Sequence, residues 1–187
     1  MRKILFVLWS IIVCGGQPAW SNQVPIEAFK VKPSIVALPA GAEQGSYRRV
    51  IRPFQNWDLI CDEDLKAMNK ICNVTQTIED DKGAFVFSWS LAATEAGKPM
   101  LILRVPADII VEDRITLRFD AQKQTLSIKI GACDGLACTA FVSLVPIIRK
   151  QIENNAPVGV SYRSSHRGSV VLNAPTRGLS AAVAAIE

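Results

Sequence analysis

Glu79-Asp80-Asp81-Lys82-Gly83-Ala84-Phe85-Val86-Phe87-Ser88-Trp89-Ser90-Leu91 is the stretch from which the fold can be read. Its first half, Asp-Asp-Lys-Gly, is a turn. In its second half Phe85, Phe87, Trp89 and Leu91 fall at every second position, so one side of an extended chain is apolar. The same period runs outward in both directions. Cys72 to Ile78 precedes the turn, and Met100 to Val105 follows a break at Glu95-Ala96-Gly97-Lys98-Pro99. Ile115, Leu117 and Phe119 then alternate with Thr116, Arg118 and Asp120, and Leu126, Ile128 and Ile130 with Ser127 and Lys129. Half-buried strands at this spacing, separated by turn residues, predict an all-β fold built as an antiparallel sandwich. Two short helices interrupt it. Residues 144–155 carry Val145, Ile148 and Ile152 on one helical face. Residues 179–187 form a closing helix, after Gly178, that packs by Leu179, Val183 and Ile186. Between them Val158 to Arg163 and Ser169 to Asn173 read as a hairpin with Ser164 to Gly168 at its tip.

The chain has 187 residues, 49% of them apolar, enough for one domain with a sizeable core. Its start reads as a secretory signal. Arg2 and Lys3 precede the apolar run Ile4 to Val13, which Gly15, Gly16 and Pro18 break. Ala19-Trp20-Ser21 then supplies small residues for cleavage before Asn22. That run is far shorter than the roughly 20 residues of a membrane span, so no transmembrane anchor is expected after cleavage. The chain divides accordingly into a signal peptide over 1–21, a Pro-rich basic extended arm over 22–53, and a β-sandwich domain over 54–187. The net charge of +4 falls to +2 without Arg2 and Lys3, and the signs are interspersed. Nucleic acid is not an expected partner.

Four cysteines remain beyond the leader: Cys61, Cys72, Cys133 and Cys138. In an exported chain they suggest two disulfides, for which three connectivities exist. The near pairs are the natural choice. Asp134-Gly135 makes a turn between Cys133 and Cys138, and Cys61 to Cys72 encloses a polar excursion. The spacings, x10 and x4, are not those of a zinc site, and His166 is remote from both pairs.

Other chemistry is sparse. His166, the single histidine, sits at the hairpin tip, and no Gly-x-Ser-x-Gly elbow accompanies it. The acidic runs Asp62-Glu63-Asp64, Glu79-Asp80-Asp81 and Glu112-Asp113 fall in predicted turns or loops and read as solvated charges. Neither a phosphate-binding glycine loop nor a calcium loop is present. No catalytic residue, metal ligand or cofactor site is assigned. Trp57 and Trp89 lie in alternating runs and read as core, with stacking on a glycan as the alternative.

Phe54-Gln55-Asn56-Trp57-Asp58-Leu59-Ile60-Cys61 resembles the opening of the invasion-associated locus B family of exported alphaproteobacterial proteins. The resemblance continues through Cys72-Asn73-Val74-Thr75-Gln76, Leu101 to Pro106, Leu117-Arg118-Phe119-Asp120, Cys133 to Cys138 and Gly178 to Ala185. It departs at Asn56, where the family has an acidic residue, and in the long arm before Phe54. It implies an immunoglobulin-like β-sandwich in the periplasm or outer envelope, without known catalytic residues, some relatives being associated with entry into host cells. The expected activity is non-catalytic interaction with an envelope protein or outer-membrane component. A periplasmic module for a small ligand or glycan is the alternative.

Overall fold

In a computed structural model, residues 32, 38–93, 97–110 and 114–186 are described. The signal peptide and the first part of the arm, residues 22–31 and 33–37, lie outside them. The alternating runs become strands β1 (Tyr47–Phe54), β2 (Trp57–Asp64), β3 (Asn69–Glu79), β4 (Phe85–Ala93), β5 (Pro99–Pro106), β6 (Arg114–Phe119) and β7 (Gln124–Lys129). They continue with β8 (Ala132–Cys133), β9 (Ala137–Ser143), β10 (Val158–Ser164) and β11 (Gly168–Ala174). Helix α1 (Pro146–Glu153) separates β9 from β10, and α2 (Leu179–Ala184) follows β11. A seven-stranded sheet has the order β1-β2-β3-β4-β5-β9-β8, and a four-stranded sheet the order β11-β10-β6-β7. All strand pairs are antiparallel. This is the mainly β, two-sheet architecture that the period-two pattern predicts.

The apolar faces of the two sheets share one core. Trp57, Leu59, Val74, Phe87, Trp89, Leu101 and Leu103 come from the larger sheet, and Ile115, Leu117, Phe119, Val160 and Tyr162 from the smaller. Two polar links tie the layers. The Tyr162 hydroxyl donates to the Val86 carbonyl at 2.7 Å, and burial pushes its pKa up to about 12. Arg167, at the β10–β11 tip, donates to the Phe85 carbonyl at 3.0 Å and to Asp80 Oδ2 at 3.3 Å.

The structure departs from the sequence reading at several places, among them Asp62-Glu63-Asp64, which end strand β2 and do not form a loop. The sheet begins before Phe54, because β1 occupies residues 47–54 of the stretch taken for an arm and pairs along its whole length with β2. Its arginines made it look like a solvated linker, yet two of them are matched to acids across the ladder. Arg48 bonds Glu63, with Nε at 2.7 Å from Oε2, and Arg49 Nε lies 2.6 Å from Asp62 Oδ1. Helix α1 is shorter than 144–155: Val145 is extended at its start, where Pro146 takes the first helical turn and lacks the N–H that would go unpaired. Helix α2 packs by Leu179 and Val183, as predicted, with Leu179 and Ala182 fully buried and Val183 partly buried against the core, but not by Ile186. It ends at Ala184, so Ile186 is beyond the last turn and is largely exposed.

Both disulfides join residues directly opposite on neighbouring strands. Cys61 on β2 is bonded to Cys72 on β3, and Cys133 on β8 to Cys138 on β9. In the chain-entropy account a loop of this first size contributes about 3 kcal/mol.

Candidate interaction surface

Gln76 organises the end of the molecule where the chain closes. It stands among Cys72, Val74 and Ile78 on the inward face of β3 and is buried. Its Oε1 accepts the indole N–H of Trp89 at 2.9 Å, and its Nε2 donates to the carbonyls of Asn56 at 2.9 Å and Pro175 at 3.1 Å. Asn56 itself adopts φ 64° in the β1–β2 turn, a conformation that Asn tolerates better than most residues. Its side chain donates to the Arg177 carbonyl at 3.4 Å. A carboxylate at this position would have no donor for that carbonyl. Sequence reasoning missed Gln76, although a long polar side chain on an otherwise apolar strand face is a visible signal.

The two tryptophans meet at the same place. Trp57 and Trp89 are buried with ring centroids 5.2 Å apart. Neither presents a face to solvent, so stacking of a sugar on them, the alternative raised from the sequence, is overturned. The indoles fill the space between the sheets, where a large apolar area is most stabilising.

At the β10–β11 tip, Ser164, Asp108 and His166 come together. Ser164 Oγ donates to Asp108 Oδ2 at 2.5 Å and accepts the backbone N–H groups of His166 and Arg167. His166 Nδ1 lies 3.6 Å from Asp108 Oδ2, and its side chain is 82% exposed. A nucleophilic serine hydrogen-bonds a histidine that takes its proton; here the Ser164 hydroxyl donates its hydrogen bond to Asp108 instead, and the arrangement closes the hairpin. Among the described residues no group of three His, Cys, Asp or Glu is placed to hold a metal ion, and no helix is long and apolar enough to cross a membrane.

A surface site forms instead at the β1–β3 corner. Residues 39–42 lie over the outward face of the sheet and leave a cleft of about 260 Å³ against Tyr47, Asp62, Asp64, Asn69 and Ile71. Antiparallel register places Arg49, Asp62 and Ile71 in one row across three strands and Ile51 beside Ile60 in the next. Ile71 is 64% exposed, Ile51 58% and Met68, in the β2–β3 turn, 88%. Leu38 and Leu65 are exposed at the same corner. Among the described residues, five of the nine exposed large apolar side chains thus lie on this side of the sheet's β1–β3 end, against the dispersal usual on a monomer's surface. The charges beside them are held in place: the Arg49 guanidinium, bonded to Asp62, keeps that carboxyl below its ordinary range and is itself held protonated.

Two further carboxylates are held low by backbone N–H donors. Asp80 is bonded chiefly by Ala84 N–H, and Asp134 chiefly by Ala137 N–H. A carboxyl whose folded pKa is depressed stabilises the fold above its unfolded value, near 3.8, and that contribution is lost as pH falls through the folded value. The melting temperature is therefore expected to decline as pH drops below about 4 to 5. Asp80→Asn and Asp134→Asn together should make the decline shallower; an unchanged slope would remove these turns from the acid response.

Against this geometry, the invasion associated locus B (IalB) family model matches residues 57–187, the whole sandwich from β2 onward. The protein belongs to the IalB family. The crystal structure of invasion associated protein B from Bartonella henselae has the same fold, with a TM-score of 0.59 at 17% identity, covering 72% of this chain and 94% of that one. Comparison with curated proteins gave no match. The family match starts at Trp57, so β1, and with it one wall of the corner cleft, lies outside the matched residues of this IalB protein.

Proposed function

We propose that this chain is a non-catalytic protein of the bacterial envelope, exported to the periplasm or outer envelope, that holds another envelope protein on its β1–β3 corner. The observation that carries the reading is exposed Ile71 lining a cleft walled by Tyr47, Asp62 and Asp64, with exposed Ile51 in the next row of the same face. Apolar anchors with a polar, charge-paired rim are what a specific interface requires. Two disulfides fit an oxidising compartment, and membership of the IalB family supports a part in contact with a host cell. The signal over 1–21 is the route of export in this reading.

The test is crosslinking in cells of the tagged full chain, with mass spectrometry of what is attached in the envelope fraction. A reproducible partner is expected, and Ile71→Lys and Ile51→Lys are each expected to lower its recovery at least tenfold, about 1.4 kcal/mol of binding. Both positions are exposed, so the fold should be retained, as circular dichroism would report. Equal recovery from the lysine variants would sink the assignment of this corner. Deleting residues 22–53 is the wrong probe, since it would remove β1 from the sheet.

A further inference from the structure

Each edge of a sheet leaves backbone N–H and C=O groups free to pair with another strand, and proteins usually blunt such edges. Three of the four edges here are blunted. Strand β1 carries Arg48, Arg49, Arg52 and Pro53. Strand β8 is two residues long. Strand β7 ends at Lys129 and leads directly into Gly131, whose N–H is bonded to Thr139 of β9. The fourth, β11, reads Gly-Ser-Val-Val-Leu-Asn-Ala: seven residues with no charge and no proline. Beyond its ladder with β10, no backbone hydrogen bond to Ser169–Asn173 is found among the described residues.

We propose that β11 is a self-association edge, and that two copies of the chain pair antiparallel through Gly168–Ala174 about a two-fold axis at Val171. The strand matches its own reversal. With Val171 opposite Val171, Val170 faces Leu172, Ser169 faces Asn173 and Gly168 faces Ala174, so apolar meets apolar, polar meets polar and small meets small. Direct partners in an antiparallel pair share a face. Val170 and Leu172, half-buried and opposite Tyr162 and Val160 of β10, therefore extend the core of one copy into that of the other. Val171, 63% exposed, is covered on the outer face together with Ser169 and Asn173. Charge favours this edge as well. Self-pairing of β1 about its centre sets Arg49 against Arg52, whereas β11 brings no charged side chain opposite another. The nearest, Arg163 on β10, is in line with Ser169 of its own copy and Asn173 and Gly159 of the other. The result is a continuous eight-stranded sheet made from two four-stranded ones, with an isologous interface that closes. It leaves the β1–β3 corner untouched and stands independently of the partner proposed for it.

The test is sedimentation equilibrium of the purified full chain over rising concentration, with hydrogen exchange of the β11 amides. The expected mass moves from one chain to two, and exchange along Ser169–Asn173 slows as it does. Val171→Lys sets two like charges opposite each other at the axis and should weaken association at least tenfold. Val171→Thr, uncharged and equally suited to a strand, should keep it. A chain that stays single up to about 1 mM, where pairing is worth no more than about 4 kcal/mol, overturns the proposal. So does a lysine variant that associates like the parent, or a dimer whose β11 amides exchange as fast as the monomer's.

Discussion

Replacing Gly178 with alanine is expected to destabilise the protein by about 3–4 kcal/mol, the sum of a left-handed backbone forced on an L side chain and an overpacked contact. Gly178 has φ 95° and begins α2. A Cβ at this position would stand 2.0 Å from the Gln55 carbonyl oxygen, far inside contact distance, and the obstacle is backbone that cannot swing away. Either α2 lifts off the β1–β2 turn or the turn opens. The measurement is urea denaturation, with the midpoint falling and the slope preserved. Gly83→Ala is the control. Gly83 also has a positive φ, but nothing lies within 4 Å of its added Cβ, so only the smaller backbone cost, about 1–2 kcal/mol, should appear. Equal losses at the two positions would mean that the close approach to Gln55 contributes nothing.

Gln76→Leu is expected to cost about 3 kcal/mol or more, although leucine suits the apolar face on which Gln76 stands. The amide makes three bonds, to Trp89 Nε1 and to the carbonyls of Asn56 and Pro175. Removing it leaves those groups without this partner in a buried site, at about 1–3 kcal/mol for each one left unsatisfied. For a chain of this size the melting temperature should fall by about 10 °C. Tryptophan emission gives an independent readout, because the Trp89 indole loses its acceptor while Trp57 beside it is untouched. Gln76→Glu is worse, as it keeps an acceptor for the indole but aims a carboxylate at two carbonyls. A leucine variant as stable as the parent would show that water replaces the amide at no cost.

Much of the fold was legible because strand period is a local property. The run Phe85, Phe87, Trp89, Leu91 marks its inward face whatever it packs against, and the β10–β11 hairpin lies within a residue of its expected bounds. Residues 47–53 were not legible as a strand. Their partners, Asp62 and Glu63, are more than ten positions away, and unpaired on the page the arginines and the acids each look solvated. The corner cleft was invisible for the same reason: it exists only once β1, β2 and β3 are in register. The closing helix and its inward Leu179 and Val183 were legible, but its end was not: a helix that stops at Ala184 cannot carry Ile186 on its seam. Gln76 shows the opposite case, a residue whose local pattern says core while its chemistry says otherwise, and whose three partners come from distant parts of the chain.

The disulfides have a consequence for how the chain is oxidised. Each joins cysteines that follow one another in the sequence, Cys61 with Cys72 and Cys133 with Cys138, at separations of 11 and 5 residues. Beyond Cys14, an oxidant that joins each cysteine to the next along the chain makes both of these pairs. Loops of this length bring their ends together in about 10–100 ns, so the slow step in making either bond is the oxidation and not the search for the partner. Neither bond requires strands from elsewhere in the chain to be in place first, so a disulfide oxidant that is itself reduced to a dithiol is expected to make both without a later isomerisation step.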